Sequence, residues 1–285
     1  MPLSKFRKRL HTYRKVLLVP DSASAWADRL EKEPIGMLLM LAVAGIVSTF
    51  LAAVTEQLGD LALSWFIPEG TVLYNIILYF GIVAFAEEGF KYLVLKNRSW
   101  TSPHFNCQFD GVVYAVFVSL GFALWENIHY VLAYGLSTAI ARAVTAVPGH
   151  ACFGVFMGAW YGMAKRAEQH GDEPRSRQCR RLSILIPALI HGAYDFIATM
   201  ENEWLLLVFL AFVIAMFVTA LRLVRKMARE DDYIVPPEPV GAGYPGEPYS
   251  GGGTWATLGE EPYRYRDPGE SGSEPSSGYS DNYKW

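Results

Sequence analysis

The chain has 285 residues, 52% of them apolar and 14% aromatic, with a formal net charge of −3 and a mean hydropathy of +0.16. Hydropathy is positive although both ends are polar, so the middle is too apolar for a water-soluble domain and reads as a small polytopic membrane protein. Three cysteines, none at metal-ligand spacing to another, exclude a disulfide framework, and nucleic acid is not among the expected partners.

Residues 1–34 form a basic arm with Lys5, Arg7, Lys8, Arg9, Arg14, Lys15, Arg29 and Lys32. Phe6, Leu10, Tyr13, Val16, Leu17 and Leu18 lie among them, a pattern that suits either an interfacial helix on an anionic leaflet or a solvated arm. A short amphipathic helix is expected after Asp21, where a capping residue precedes apolar residues four apart. The first long apolar run is a full span, so no removable signal peptide is expected.

A helix needs about 20 apolar residues to cross about 30 Å of hydrocarbon. Runs of that kind predict six spans, at 35–55, 72–95, 111–133, 139–164, 183–200 and 204–224. Residues 61–67 are too few to cross and read as an interfacial or re-entrant piece. The expected fold is therefore all-α, a polytopic helical membrane bundle over 35–225. A tail over 226–285, rich in Gly, Pro, Ser and Tyr, lacks the aliphatic residues of a core and is expected to be disordered.

Basic residues set the orientation. The arm, then Lys96 and Arg98, then Lys165, Arg166, Arg175, Arg177, Arg180 and Arg181, then Arg222, Arg225, Lys226 and Arg229 all fall on one side of six crossings. By the positive-inside rule both termini are expected in the cytoplasm, with the chain in the plasma or inner membrane. Cys107 and Cys179 then lie on the reducing side and Cys152 inside the fourth span, which makes all three packing or incidental thiols.

The informative residues are the ionisable ones at lipid depth, where each charge costs from about 2.5 kcal/mol upward. The second span carries Glu87-Glu88-Gly89-Phe90-Lys91. Glu87 and Lys91 are four apart on one helical face, in the favourable order, while Glu88 points about 100° away. The pair is thus expected to be split, with Glu87 held by Lys91 and Glu88 free to exchange a proton. The third span carries Glu126 and Asn127, an amide that can bond a carboxylate, a water or a carbonyl, and His129, expected at the outer boundary.

The fourth span opens with Arg142, against the charge trend, and is expected to pair with Glu126 or Asp195. Pro148-Gly149 should kink the helix just before His150 and make room for water. The fifth span places His191 and Asp195 four apart, so that the carboxylate can fix the imidazole tautomer. Residue counting puts His150 and His191 near midplane and the glutamate pair one or two turns nearer the cytoplasm.

Glu-Glu-x-x-Lys at 87–91, Phe-x-x-x-Glu-Asn at 122–127, His150-Ala151 and His-x-x-x-Asp at 191–195 occur in the order and spacing of the PrsW-type intramembrane proteases, which the chain resembles over residues 35–225. That family sits in a superfamily with the CAAX-processing and bacteriocin-processing membrane proteases. Lys91, Glu126 and Asp195 depart from the wider CAAX-type pattern and favour the PrsW branch. The resemblance implies an intramembrane endopeptidase whose substrates are single-span regulators such as membrane-anchored anti-sigma factors.

The chemistry expected is hydrolysis by a water held among Glu87, Glu88, His150, His191, Glu126 and Asn127, with Lys91, Arg142 and Asp195 in support. One glutamate would act as base, and a histidine, Asn127 or a metal would stabilise the oxyanion. His150, His191 and Glu88 would also suit a zinc ion with an open position, although no His-Glu-x-x-His helix is present. A metal-free glutamate–histidine mechanism fits the same side chains. The alternatives are a proton- or ion-coupled transporter, which also needs buried carboxylates and histidines, a CAAX-type peptidase, or a haem protein with His150 and His191 as axial ligands.

Overall fold

A computed structural model describes residues 32–199, 203–231, 233 and 234. The elements are α1 (Ile35–Ser64), α2 (Val72–Ile76), a π-helical segment (Ile77–Val83), α3 (Ala84–Ser99), α4 (Asp110–Tyr134), α5 (Leu136–Val144), α6 (Ala146–Gln169), α7 (Glu173–Ala198) and α8 (Glu203–Arg229). Six helical stretches are long and apolar enough to cross a membrane, matching the predicted six. Among the described residues the only extended pairing is one bridge between Cys107 and Tyr233.

Several boundaries differ from expectation for local reasons. The first helix does not stop near Thr55 but continues through Ser64, so residues 61–64 extend a span rather than form a re-entrant piece. The fourth span is broken at Thr145, which leaves Arg142 on the separate short helix α5. Pro148 therefore falls in the first turn of α6, where its missing N–H has no intrahelical partner to lose, and the expected kink is not needed. Cys107, Cys152 and Cys179 are buried and form no disulfide among the described residues.

The arm through residue 31 and the tail from residue 235 lie outside the described residues, and with them the expected amphipathic helix and tail disorder. The segment after α8 begins as structure. Helix α8 runs to Arg229, past the expected boundary at 226. Phe109 N then donates to Asp231 Oδ1 at 2.9 Å, Ile234 N donates to Asn106 O at 2.6 Å, and Ile234 is buried.

The helices are joined by two apolar clusters. One gathers Leu41, Tyr92, Leu95, Tyr114, Val118, Met157 and Tyr161, and the other Phe109, Phe153, Phe156, Tyr194, Met216 and Leu223. In lipid the drive to pack comes from close backbone approach rather than from water exclusion, so small residues sit at the crossings. A Cβ on Gly121 of α4 would lie 1.9 Å from the Ala42 carbonyl oxygen of α1. The contact is backbone on backbone and cannot relax by rotating a side chain. Gly121→Val is therefore expected to lower stability by at least about 1–3 kcal/mol, while Gly36→Ala, which meets nothing within 4 Å, changes little. Thermal unfolding of both variants in detergent tests this.

Candidate active site

The ionisable residues picked from sequence come from separate helices, and the fold brings most of them together. Glu87, Glu88 and Lys91 lie on α3, Glu126 on α4, Arg142 on α5, His150 on α6, and His191 and Asp195 on α7. They form one continuous polar chain. Arg142 Nη2 donates to Glu126 Oε1 at 2.6 Å, and Glu126 Oε2 bonds His150 Nε2 at 2.8 Å. His150 Nδ1 lies 3.0 Å from Lys91 Nζ. Lys91 Nζ also donates to Glu88 Oε1 at 2.7 Å and Glu87 Oε2 at 3.2 Å. Glu88 Oε1 then bonds His191 Nδ1 at 3.0 Å, and His191 Nε2 lies 3.3 Å from Asp195 Oδ2.

Donor and acceptor rules assign roles along this chain. An ammonium only donates, so His150 Nδ1 accepts from Lys91, and its Nε2–H donates to Glu126. His191 differs, because each of its nitrogens faces a carboxylate oxygen and both N–H positions have an acceptor. Phe153 stacks on His191 with ring centroids 4.5 Å apart, and Phe122 lies under the Lys91 ammonium at 4.0 Å. These rings wall the polar chain and fix the imidazole planes.

The site has two layers. Glu87, Glu88, Lys91, His150 and His191 are buried, Glu88 and Lys91 completely. Above them Glu126, Arg142 and Asp195 have side chains 17%, 21% and 23% exposed. The exposed layer faces the side of the bundle that carries residues 65–71 and helix α5, here the distal face.

Local structure explains how the depths match. The π segment packs more residues into each unit of rise than an α-helix, because its bonds run i→i+5. Counting at the α-helical rise therefore places Glu87 too far from the distal end, and the apparent offset from His150 and His191 shrinks. Gly192 lets the π segment lie close to α7: a Cβ there would come within 2.7 Å of the Phe80 ring. Pro187, one turn before His191, interrupts the α7 hydrogen-bond ladder in the membrane interior.

Two expectations are corrected. Lys91 does not single out Glu87; it bridges both glutamates and holds Glu88 at the shorter distance, since i,i+3 and i,i+4 partners both lie within its reach. Asn127 does not join the polar chain, and its buried Oδ1 has no hydrogen-bond partner. Of the two partners expected for Arg142, Glu126 is the one paired. His129 is exposed, as its boundary position predicts.

Sequence reasoning missed Glu56 of α1. It interacts electrostatically with Glu126, His191, Lys91 and Asp195 and so borders the site. The signal was present in the helical stripe Leu41, Gly45, Ser48, Ala52, Glu56, but the predicted span ended one residue short.

The donor set suits a metal. Glu87, Glu88, His150 and His191 each offer a ligand atom, all within 4.8 Å of one another, and imidazole with carboxylate is a donor set for a zinc-like ion. Glu88 Oε2 is buried with no hydrogen-bond partner, which leaves a lone-pair site facing nothing in the protein. Lys91 bonds three of these four residues, Glu87, Glu88 and His150.

Comparison with known proteins bears on the same residues. The family model described as PrsW family intramembrane metalloprotease matches residues 33–221. The chain is 31% identical over 196 residues to Protease PrsW of Clostridioides difficile, covering 67% of this chain and 79% of that protein. It is 33% identical over 188 residues to Protease PrsW of Halalkalibacterium halodurans, covering 66% and 85%. Against Protease PrsW of Geobacillus kaustophilus it is 34% identical over 199 residues, covering 70% and 83%. No solved structure matches the chain.

Removing the central ammonium tests the electrostatics. Lys91→Met leaves two buried carboxylates without their cation and is expected to cost about 3–5 kcal/mol. Adding Glu88→Gln should recover part of that loss, because one stranded charge is removed with it. A double-mutant cycle on unfolding in detergent reads the coupling; additive effects would show that Lys91 and Glu88 act independently.

Proposed function

Because the chain belongs to the PrsW family of intramembrane metalloproteases and is an intramembrane endopeptidase, we propose that its glutamate–histidine cluster activates water to cleave a membrane protein in or near its transmembrane segment. The observation that carries this reading is the convergence of buried Glu87, Glu88, His150 and His191 with ligand atoms within 4.8 Å.

In this reading the two glutamates divide the labour. Glu88 is fully buried and bonded to both Lys91 and His191, so it anchors the site. Glu87 accepts one bond at 3.2 Å and lies 4.0 Å from His150 Nδ1 and 3.9 Å from His191 Nδ1, the looser position of a base. Glu87 takes a proton from water as the water oxygen bonds the scissile carbonyl carbon. Lys91, whose N–H towards Glu87 is released as Glu87 takes the proton, stabilises the resulting oxyanion. As the C–N bond breaks, Glu87 returns the proton to the leaving nitrogen, giving a carboxylic acid and an amine.

His150, His191 and Glu88 are the residues that would hold a zinc-class ion, leaving Glu87 as base. Bound there, such an ion supplies a water of lowered pKa and polarisation of the carbonyl.

The substrate we propose is a single-span regulatory protein of the anti-sigma-factor kind, in a plasma membrane with both termini of this chain cytoplasmic. The family resemblance supports the substrate, and the one-sided distribution of basic residues supports the orientation.

Glu87→Gln keeps an acceptor for Lys91 but cannot take a proton, so it should cut cleavage of a single-span reporter by about 10²–10⁴-fold. Glu88→Ala and His191→Ala should abolish cleavage in protein that is still inserted and folded. Normal processing by these variants would remove the residues from catalysis. Elemental analysis of the purified protein is expected to find bound zinc that is lost in His150→Ala and His191→Ala.

A further inference from the structure

Helix α1 faces the bundle along a regular stripe. Leu41 and Ala52 are fully buried. A Cβ on Gly45 would press on the Val118 carbonyl of α4, and Thr49 Oγ1 lies 3.4 Å from Phe122 O. At 3.6 residues per turn the stripe continues through Ala52 to Glu56 and Gly59, where a Cβ would meet Ile82 of the π segment at 2.5 Å. Glu56 therefore points into the bundle rather than at lipid, and it is partly buried.

The register places it at the site. Gly45 against Val118, Thr49 against Phe122 and Gly121 against Ala42 pack α1 on α4 just before the level of Glu126. One further turn reaches the level of Glu126, and Glu56 lies about one turn beyond that, towards the distal face. Side chains on a helix lean towards its N-terminus, so the Glu56 carboxylate reaches back over Glu126. Its electrostatic interactions with Glu126, His191, Lys91 and Asp195 agree with that position.

Charge at the mouth of the site is unbalanced. Glu126 is paired with Arg142, and Asp195 with His191. Among the described residues Glu56 has no ion pair, and the distal face adds Asp60 and Glu69 without a lysine or arginine between residues 56 and 75. The inner layer beneath holds Glu88 Oε2, buried and without a hydrogen-bond partner, so the cluster next to Glu56 keeps an acceptor that the described residues leave unfilled.

We propose that Glu56 is a specificity-determining residue that accepts the ammonium or guanidinium of a lysine or arginine on the substrate segment lying at the distal mouth. The inference rests on the protease reading for what the bound peptide undergoes, but binding alone can test it.

The test uses the full-length protein in nanodiscs and single-span synthetic peptides that differ at one residue, Lys, Gln or Glu, scanned over the turn just beyond the distal membrane surface. Affinities are read by fluorescence anisotropy in a Glu87→Gln background, and kcat/KM is read in parallel with an intact Glu87. At one position the Lys peptide should bind about tenfold tighter than the Gln peptide, as for a partly desolvated charge pair. Glu56→Gln should collapse that preference, Glu56→Asp should retain it, and Glu56→Lys should favour the Glu peptide. Equal affinity for Lys and Gln peptides at every position, or a preference that survives Glu56→Gln, overturns the proposal. Absence of any cleavage would instead count against the protease reading, with Glu56 still judged by the affinities.

Discussion

The site depends on a lysine ammonium held in a place where an ammonium is expensive. Lys91 is completely buried, and the desolvation penalty of such a group is several kcal/mol even after relaxation. Three polar partners and one aromatic face offset it: Glu87, Glu88, His150 and the Phe122 ring. Because those partners sit on three helices, satisfying the ammonium fixes the relative positions of α3, α4 and α6. Glu88 passes the constraint to α7 through His191. The helices are thus keyed to one another at the depth of the buried cluster, and the polar chain forms a connected unit rather than separable pairs.

Packing around that unit is arranged for close approach. The backbone contact at Gly121 brings α1 and α4 together. The contact of Phe80 with Gly192 seats the π segment beside the helix that bears His191. A π segment in front of the glutamate pair is a departure from regular geometry of the kind often found at functional sites. Here it adjusts the height of Glu87 and Glu88 against the two histidines. The inner layer is buried while Glu126, Arg142 and Asp195 remain partly exposed, so the cluster is reached from one side.

Much of this was legible in the sequence because lipid imposes severe rules. Apolar run length set the six helices, and the price of charge at depth singled out Glu87, Glu88, Glu126, His150, His191 and Asp195. The helical i,i+4 relation anticipated contacts of Lys91 with Glu87 and of His191 with Asp195. What sequence could not supply was tertiary choice. Lys91 reaches Glu87 and Glu88 by spacings of similar quality, and only the surrounding helices decide that it bridges both. Thr145 and the π segment are breaks without a proline at the break, so no local signal marks them. Asn127 neighbours Glu126 in sequence, yet a helix turns adjacent residues about 100° apart and the amide stays outside the polar chain. Glu56 was hidden for another reason: its stripe was visible, but the span was ended before it.

The two histidines, although both buried in one cluster, are not equivalent. His150 has a cation on one nitrogen and a carboxylate on the other, so its Nδ1 lone pair is turned towards positive charge. That orientation serves equally to accept from Lys91 or to ligate a metal. His191 lies between two carboxylates and is set to donate to both, which ties Glu88 to Asp195 across the site. For His191 to ligate instead, one of its donor bonds must be given up. Exchange between Lys91 and a metal would therefore reach beyond the ammonium, since it alters the partners of Glu88 and, through Glu88, the donor state of His191. The cluster couples the identity of its central cation to the hydrogen bonds of both histidines.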